Sequence, residues 1–469
     1  MFIKQLYTGC LSEAAYYIES NGEAAIIDPM RDIDEYLQLA NERMAKIKYI
    51  FETHFHADFV SGHIDLSKAT GAPIVYGPGT ETKFPVHVAK DGEKFQVGKI
   101  TIEVLHTPGH TLESCCYLLK VENGKEYCVF TGDTLFVGDV GRPDLAQKGA
   151  ELTMQNLAGM MYDSIHKKLF PLADEVLVYP AHGAGSSCGK NLGPETFSTI
   201  GEQKKYNYAL QAKSKEEFIK AVTEGIAEPP QYFPINALIN KEGYESIDKV
   251  LEQGMKILSI EDFKKLMKED VILLDTRHAA VFVQGFVPGS VSIGLEGRYA
   301  EWAGALLPFD KKIILVTEPG YEKESIIRLA RVGFEKVWGY LEGGYEAWKN
   351  AGEKIDMIVE VEPDELLMDM QYDKNMVVLD VRRQSEFSEG HLPGAFNLPL
   401  DDMADPVSMA NIEENDNLYV HCAGGYRSSI ACSLLKRQGI HNLRNVAGGW
   451  NAIQQLEKVE IVKEKSVLN

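Results

Sequence analysis

Two imidazoles and a carboxylate fall within one short stretch, Thr53-His54-Phe55-His56-Ala57-Asp58. Further along, His110 closes His106-Thr107-Pro108-Gly109-His110, Asp133 stands in Thr131-Gly132-Asp133-Thr134, and His182 in Tyr179-Pro180-Ala181-His182-Gly183. Imidazole and carboxylate together hold divalent first-row metals, and a site that keeps open positions can activate water or dioxygen. A different chemistry stands near the other end. Cys422-Ala423-Gly424-Gly425-Tyr426-Arg427 sets a thiol at the head of a glycine-rich loop and a guanidinium at its end. Successive N–H groups, the start of a following helix and Arg427 all favour a thiolate, and such a loop cradles an anion or a persulfide.

The elements that must aim these groups are short strands. Ala25-Ile26-Ile27-Asp28-Pro29 reads as a buried strand ending in a turn, Ile33 to Ala45 as an amphipathic helix, and Lys48 to Glu52 as the strand that delivers Thr53-His54. Ile100 to Leu105 is a strand running towards His110, and Leu418 to His421 a strand feeding the Cys422 loop and a helix from Ser428 to Gln438. Each candidate group thus follows a strand, where a rigid sheet can aim a loop side chain. Asp28 is expected to be a turn or support residue rather than a ligand, and His63 and His106 to be structural.

With 469 residues the chain is too long for one ordinary core. Its net charge of −21 argues against nucleic acid and anionic membrane as partners, since both would be repelled. No apolar run is long enough for a membrane span and no signal-peptide pattern opens the chain, so a cytoplasmic protein is expected. Seven cysteines, odd in number and sparsely placed, do not read as a disulfide scaffold. Cys115, Cys116 and Cys128 lie in strand-like runs and are expected to be buried small hydrophobes.

An internal repeat of about 105 residues occupies the second half. Leu274-Asp275-Thr276-Arg277 recurs as Leu379-Asp380-Val381-Arg382, Val287-Pro288-Gly289 as Leu392-Pro393-Gly394, and Glu342-Gly343-Gly344-Tyr345 as Ala447-Gly448-Gly449-Trp450. Strands alternating with helical runs predict two tandem parallel-sheet α/β domains. Glu228 to Gly243, with three prolines, reads as a linker or surface excursion before them.

The N-terminal motifs, together with Phe130 to Phe136 and Val140-Gly141-Arg142-Pro143-Asp144-Leu145, resemble the persulfide dioxygenases of the metallo-β-lactamase fold. That resemblance implies an αββα sandwich and one ferrous iron per chain, held by His54, His110 and Asp133. It makes His56, Asp58 and His182 supporting or pocket residues, and gives Arg142 either a pocket role or a structural pairing with Asp144. Phe59 stands where binuclear relatives such as glyoxalase II place another His. A phenyl ring cannot bind a metal, so the second site loses a ligand and dioxygen chemistry is favoured over two-metal hydrolysis. His182-Gly183-Ala184-Gly185-Ser186-Ser187-Cys188-Gly189-Lys190 resembles a loop of persulfide dioxygenases fused to rhodaneses, where Cys188 would relay sulfur; an ordinary loop thiol is the other reading.

The Cys422 segment resembles a rhodanese, with Ala423, Gly424, Gly425 and Tyr426 as the persulfide-binding loop and Cys422 and Arg427 as catalytic residues. Tyrosine phosphatases place five residues between Cys and Arg, whereas four stand here, and the tighter loop suits a sulfur acceptor. In the first repeat Thr317 or Glu318 falls opposite Cys422, so that copy is expected to be inactive. The expected architecture is therefore a metallo-β-lactamase-fold domain over 1–245, an inactive rhodanese-like domain over 256–356 and a catalytic rhodanese over 360–465. The expected function is oxidation of a small thiol persulfide by dioxygen to sulfite, coupled to a sulfurtransferase that forms or uses thiosulfate in sulfide detoxification. The alternative is a zinc thioesterase of the glyoxalase II type with an appended rhodanese. Partners are the persulfide, dioxygen, and sulfite or thiosulfate, in a homo-oligomer.

Overall fold

The computed structural model describes residues 1–147, 151–410, 412, 416–457 and 459–464, so residue 465, the expected end of the last domain, lies outside them. The chain divides into two compact units, Met1–Ile247 with Ala330–Gly333, and Asp248–Leu329 with Phe334–Asn469.

The first unit stacks two six-stranded sheets. One runs β1 (Phe2–Thr8), β2 (Glu13–Ser20), β3 (Glu23–Ile27), β4 (Lys46–Phe51), β5 (Ile74–Tyr76), β6 (His87–Val88) in chain order. The other comprises β7 (Lys94–Val97), β8 (Ile100–His106), β9 (Cys115–Lys120), β10 (Glu126–Gly132), β11 (Leu177–Pro180) and β12 (Ser198–Thr199), again with sequence neighbours paired. Strand alternation builds the layers. Tyr16, Ile18, Tyr117 and Leu119 face the core between the sheets, while Ala15 and Tyr17 meet Tyr36 and Ala40 of the Asp34–Glu42 helix, and Cys116 and Leu118 meet Ala158 and Met161 of the Met154–Ser164 helix. The result is the expected αββα sandwich, with Cys115, Cys116 and Cys128 buried as expected.

Two local expectations change. The first helix spans Asp34–Glu42, shorter than its apolar pattern, because Met44 adopts a left-handed backbone that ends it. The Glu228 to Gly243 segment is not simply a linker: Phe233–Glu242 is a helix with proline in its first turn, and it buries Phe233, Asn236 and Asn240. Its buried asparagines weaken the apolar periodicity that marks a helix in sequence, and one of them, Asn240, holds the loop after β4.

The second unit contains two five-stranded sheets of identical order. In the first, β13 (Ile257–Leu258), β14 (Val271–Asp275), β15 (Val291–Ser292), β16 (Lys312–Val316) and β17 (Val337–Leu341) lie in the order β13-β17-β16-β14-β15. In the second, β18 (Val359–Val361), β19 (Met376–Asp380), β20 (Phe396–Asn397), β21 (Asn417–His421) and β22 (Leu443–Val446) repeat it as β18-β22-β21-β19-β20. Every pairing is parallel. The repeated motif has a matching structure: Asp275 clasps Arg277 and Asp380 clasps Arg382, with the guanidinium of each also donating to a carbonyl, Gly285 and Gly390. The two cations lie over the rings of Tyr345 and Trp450 respectively. Among the described residues no helix is long and apolar enough to cross a membrane.

Candidate metal centre and thiol loop

Four strand ends converge in the first unit. His54, His56 and Asp58 follow β4, His110 follows β8, Asp133 follows β10 and His182 follows β11. The approach is close: Gly132, in a left-handed backbone, leaves no space for a Cβ, which would stand 2.6 Å from the Thr53 side chain. At Gly141 a Cβ would lie 2.0 Å from the Asp133 carbonyl.

Asp133 is the hub. Its Oδ2 lies 3.4 Å from His110 Nε2 and 3.8 Å from His54 Nε2, and its Oδ1 lies 3.4 Å from His182 Nε2. His182 Nε2 also stands 3.5 Å from Asp58 Oδ2. The far nitrogens are tied to oxygens: His110 Nδ1 to the Arg142 carbonyl at 2.9 Å, His182 Nδ1 to the Ser12 carbonyl at 3.2 Å, and His54 Nδ1 to Thr53 Oγ1 at 3.0 Å. A carbonyl can only accept, so His110 and His182 each carry a proton on Nδ1 and turn Nε2 inward.

These inward atoms fit a metal ion. His54 Nε2, His110 Nε2, His182 Nε2 and both oxygens of Asp58 and Asp133 are buried without a hydrogen-bond partner, a costly arrangement unless something binds them. The ligand atoms of His54, His110 and Asp133 lie within 4.8 Å of one another, as do those of His56, Asp58 and His182. Burial, with the neighbouring histidines His56, His110 and His182, holds His54 well below the usual imidazole range, so it stays neutral and able to ligate.

His56 differs from the others. Its Nε2 lies 3.1 Å from Asp28 Oδ1 and 3.6 Å from Glu52 Oε2, and its ring packs on Phe59 with centroids 4.3 Å apart. Burial pushes its pKa down, but Asp28, Glu52 and Asp58 outweigh this and raise it to about 10. Asp28 also accepts from Thr53 N at 2.7 Å and Thr53 Oγ1 at 2.9 Å, which is the expected supporting role.

Arg142 pairs with Asp144 through two 2.7 Å bonds and donates to the Ser187 and Ala227 carbonyls, so its side chain is structural here. Its backbone links two parts of the site, accepting from His110 and donating to the Cys188 carbonyl at 2.9 Å. Cys188 is buried, and its thiol belongs to a cluster with Asp133 and His182 in which all ligand atoms lie within 4.8 Å. Burial, then Asp58 and Asp133, raise its pKa well above the usual thiol range, keeping it protonated.

Two functional supports escape a reading of motifs. Asn240 Nδ2 donates to the His56 and Phe59 carbonyls at 2.8 and 2.7 Å, while its Oδ1 accepts from Ser61 N at 2.9 Å, so the Phe233–Glu242 helix holds the metal loop. Asn236 and Asn240 stand one helical turn apart and both are buried, which the sequence does not show. Glu52 is the second: its carboxylate faces His56, His63 and Ser61.

The thiol loop occupies the second unit. Cys422 follows β21, and the helix behind it spans Tyr426–Arg437, beginning two residues before the expected Ser428. Gly425, in a left-handed backbone, donates its N–H to Cys422 Sγ at 3.1 Å, and Ser428 Oγ lies 3.6 Å from the sulfur. Arg427 forms a forked pair with Glu386 at 2.6 and 2.8 Å. Trp450 N and Asn451 N hold the carbonyls of Cys422 and Ala423 at 2.7 and 2.9 Å, and Gly449 makes this approach possible, since a Cβ would meet the Cys422 carbonyl at 2.4 Å. In the first repeat Thr317 follows β16 at the equivalent place, with Gly344 packed on its carbonyl. Thr317 takes the sulfur's position and Glu322 the position of Arg427.

Known proteins match both halves. Residues 8–182 match the Metallo-beta-lactamase superfamily, and 259–351 and 363–456 each match the Rhodanese-like domain. The chain is 31% identical over 185 residues to the cytoplasmic hydroxyacylglutathione hydrolase of Arabidopsis thaliana, covering 38% of this chain and 67% of that protein. It is 31% identical over 211 residues to the mitochondrial persulfide dioxygenase ETHE1 of Bos taurus, covering 45% and 74%. A solved metallo-beta-lactamase from Staphylococcus aureus subsp. aureus COL is similar at 31% identity with a TM-score of 0.64, covering 73% of this chain and 98% of that one. The chain belongs to the metallo-beta-lactamase superfamily through its N-terminal domain and carries two rhodanese-like domains behind it.

Proposed function

We propose that this enzyme oxidises a small thiol persulfide at a single iron and passes sulfur through Cys422. The observation that carries the reading is the divided fate of the histidines. His54 and His110 turn Nε2 towards Asp133 Oδ2, whereas His56 turns Nε2 towards Asp28 and Glu52 and its ring packs on Phe59. Two imidazoles and a carboxylate with open positions suit ferrous iron. Iron bound there would supply the redox chemistry with dioxygen that none of these side chains can perform.

The chain's own groups prepare that site. The Arg142 carbonyl and Thr53 hydroxyl fix the ligand rings, and burial keeps His54 neutral. Beside the loops lies a cavity of about 390 Å³ whose lining includes Phe55, Leu112, Glu81, Glu113 and Lys241. Apolar surface with both signs of charge suits a small zwitterionic thiol better than a polyanionic carrier. The reaction balances as persulfide plus dioxygen plus water giving thiol, sulfite and two protons. Cys422, its sulfur facing the Gly425 N–H, attacks the outer sulfur of a second persulfide molecule, which leaves as its thiolate while Cys422 keeps the sulfane sulfur. Sulfite attacks the outer sulfur of that persulfide, releasing the Cys422 thiolate and thiosulfate.

A relative named as a hydroxyacylglutathione hydrolase, and the second cluster of His56, Asp58 and His182, favour thioester hydrolysis as the competing reading. Oxygen uptake with a persulfide, set beside thioester cleavage on the same preparation, separates them. Uptake with about one iron per chain supports the proposal, and thioester cleavage without uptake refutes it.

A further inference from the structure

The first repeat lacks a nucleophile, yet it grips the loop that has one. Tyr426 donates its hydroxyl to the Gly294 carbonyl of the first repeat at 2.7 Å. Its ring presses on Gly297, where a Cβ would come 2.3 Å from the ring. This receiving turn is itself braced: Arg328 donates to the Leu295 and Gly297 carbonyls at 2.7 and 3.2 Å, and Leu295 N donates to the Thr276 carbonyl at 3.1 Å.

The same helix is held further along. Ser292 N donates to Ser433 Oγ at 3.0 Å in a buried contact, and Lys436 pairs with Asp356 at 2.8 Å. Arg437 reaches the Gly289 and Val271 carbonyls at 3.4 and 3.3 Å. The helix whose first turn faces Cys422 is therefore fastened to the first repeat from one end to the other.

Position gives these contacts a consequence. Gly425, whose N–H meets the sulfur, directly precedes Tyr426. A tether on Tyr426 fixes the chain that presents that N–H, and an open left-handed glycine alone would not. Tyr321 stands at the matching place in the first repeat and is 48% exposed, so the residue type is shared while the grip is not. We infer that the inactive repeat is a clamp for the Cys422 loop, and that Tyr426 is a positioning residue acting through Gly425. This rests on the sulfurtransferase reading of Cys422 for its catalytic consequence, but not for the grip itself.

The test uses the full chain with Tyr426→Phe, which removes only the hydroxyl, and Gly297→Val, which alters only the first repeat. Tyr321→Phe is the control. Mixing with thiosulfate should give a sulfite burst of about one per chain in all variants, its rate falling roughly three- to tenfold in Tyr426→Phe and Gly297→Val. Loss of folded protein would lower the amplitude instead. Hydrogen–deuterium exchange should be faster across the peptide from Cys422 to Ile430 in the same two variants and unchanged in Tyr321→Phe. Unchanged exchange overturns the clamp whatever the burst shows. Faster exchange with a wild-type burst rate overturns the positioning role of Tyr426. Faster exchange in a chain whose wild type gives no burst leaves the clamp standing and refutes the sulfurtransferase reading.

Discussion

The metal centre and the thiol loop solve placement in opposite ways. At the candidate metal centre, the ligand-type residues come from the ends of four strands in two sheets, and three of the imidazoles are oriented by separate partners, His54 by Thr53, His110 by Arg142 and His182 by Ser12. At the thiol loop, six consecutive residues from Cys422 to Arg427 supply the sulfur, the N–H groups and the cation. A convergent site fails when any contributor is lost, while a contiguous one depends on a single turn being held in shape. Substitutions should separate these two kinds of dependence.

The largest effect is expected at the metal centre. His110→Ala removes one of two imidazoles facing Asp133 Oδ2 and should lower bound metal and persulfide-dependent oxygen uptake by roughly a hundredfold or more, measured by elemental analysis and an oxygen electrode. Sulfur transfer from thiosulfate to cyanide should be unaffected, and its parallel loss would mean the two sites are not separable.

Cys422→Ser should abolish that transfer while oxygen uptake stays within about twofold, because no other thiol among the described residues sits in such a loop. The products should shift from thiosulfate towards sulfite. Thiosulfate formed at the wild-type rate, corrected for spontaneous chemistry, would show that the sites do not act in sequence. Restoring a thiol in the first repeat should not help: Thr317→Cys in the Cys422→Ser background places sulfur beside Glu322 rather than an arginine and should recover less than roughly a hundredth of the activity. Recovery beyond that would make the missing cysteine the first repeat's whole deficit.

Smaller effects sharpen the metal side. Cys188→Ser should change the ratio of thiosulfate to sulfite by about twofold without emptying the metal site, given its place beside Asp133 and His182. An unchanged ratio makes it a packing thiol. The raised pKa of His56 also has a sign that can be worked out. Its value of about 10 against the ordinary 6.5 means the stabilisation is full below pH 6.5 and lost as pH rises through 10. Metal-free protein should therefore lose a few degrees of Tm between pH 7 and pH 10, and His56→Gln should flatten that slope.

Legibility in the sequence follows the same division. The Cys422 loop, the tandem repeat and the α/β class could be read because their signals are local: two glycines before an arginine, or an Asp-x-Arg motif that folds onto itself in both copies. His54, His110 and Asp133 were legible as ligand types, and the structure brings them together. What could not be read is contact across distance. Asn240 holds a loop more than 180 residues earlier in the chain, and polar residues in that helix hide its periodicity. The sequence leaves Cys188 open between a sulfur relay and an ordinary loop thiol, and only the fold shows it buried beside Asp133 and His182. Tyr426 gives no hint in sequence that its hydroxyl belongs to another domain's carbonyl.

The most direct test combines metal content with oxygen consumption on anaerobically purified full-length chain, using a small panel of thiol persulfides. About one iron per chain is expected, lost in His110→Ala, with one dioxygen consumed for each sulfite formed, whether free or captured as thiosulfate. Two zinc ions per chain, thioester hydrolysis and no oxygen uptake with any persulfide would contradict it.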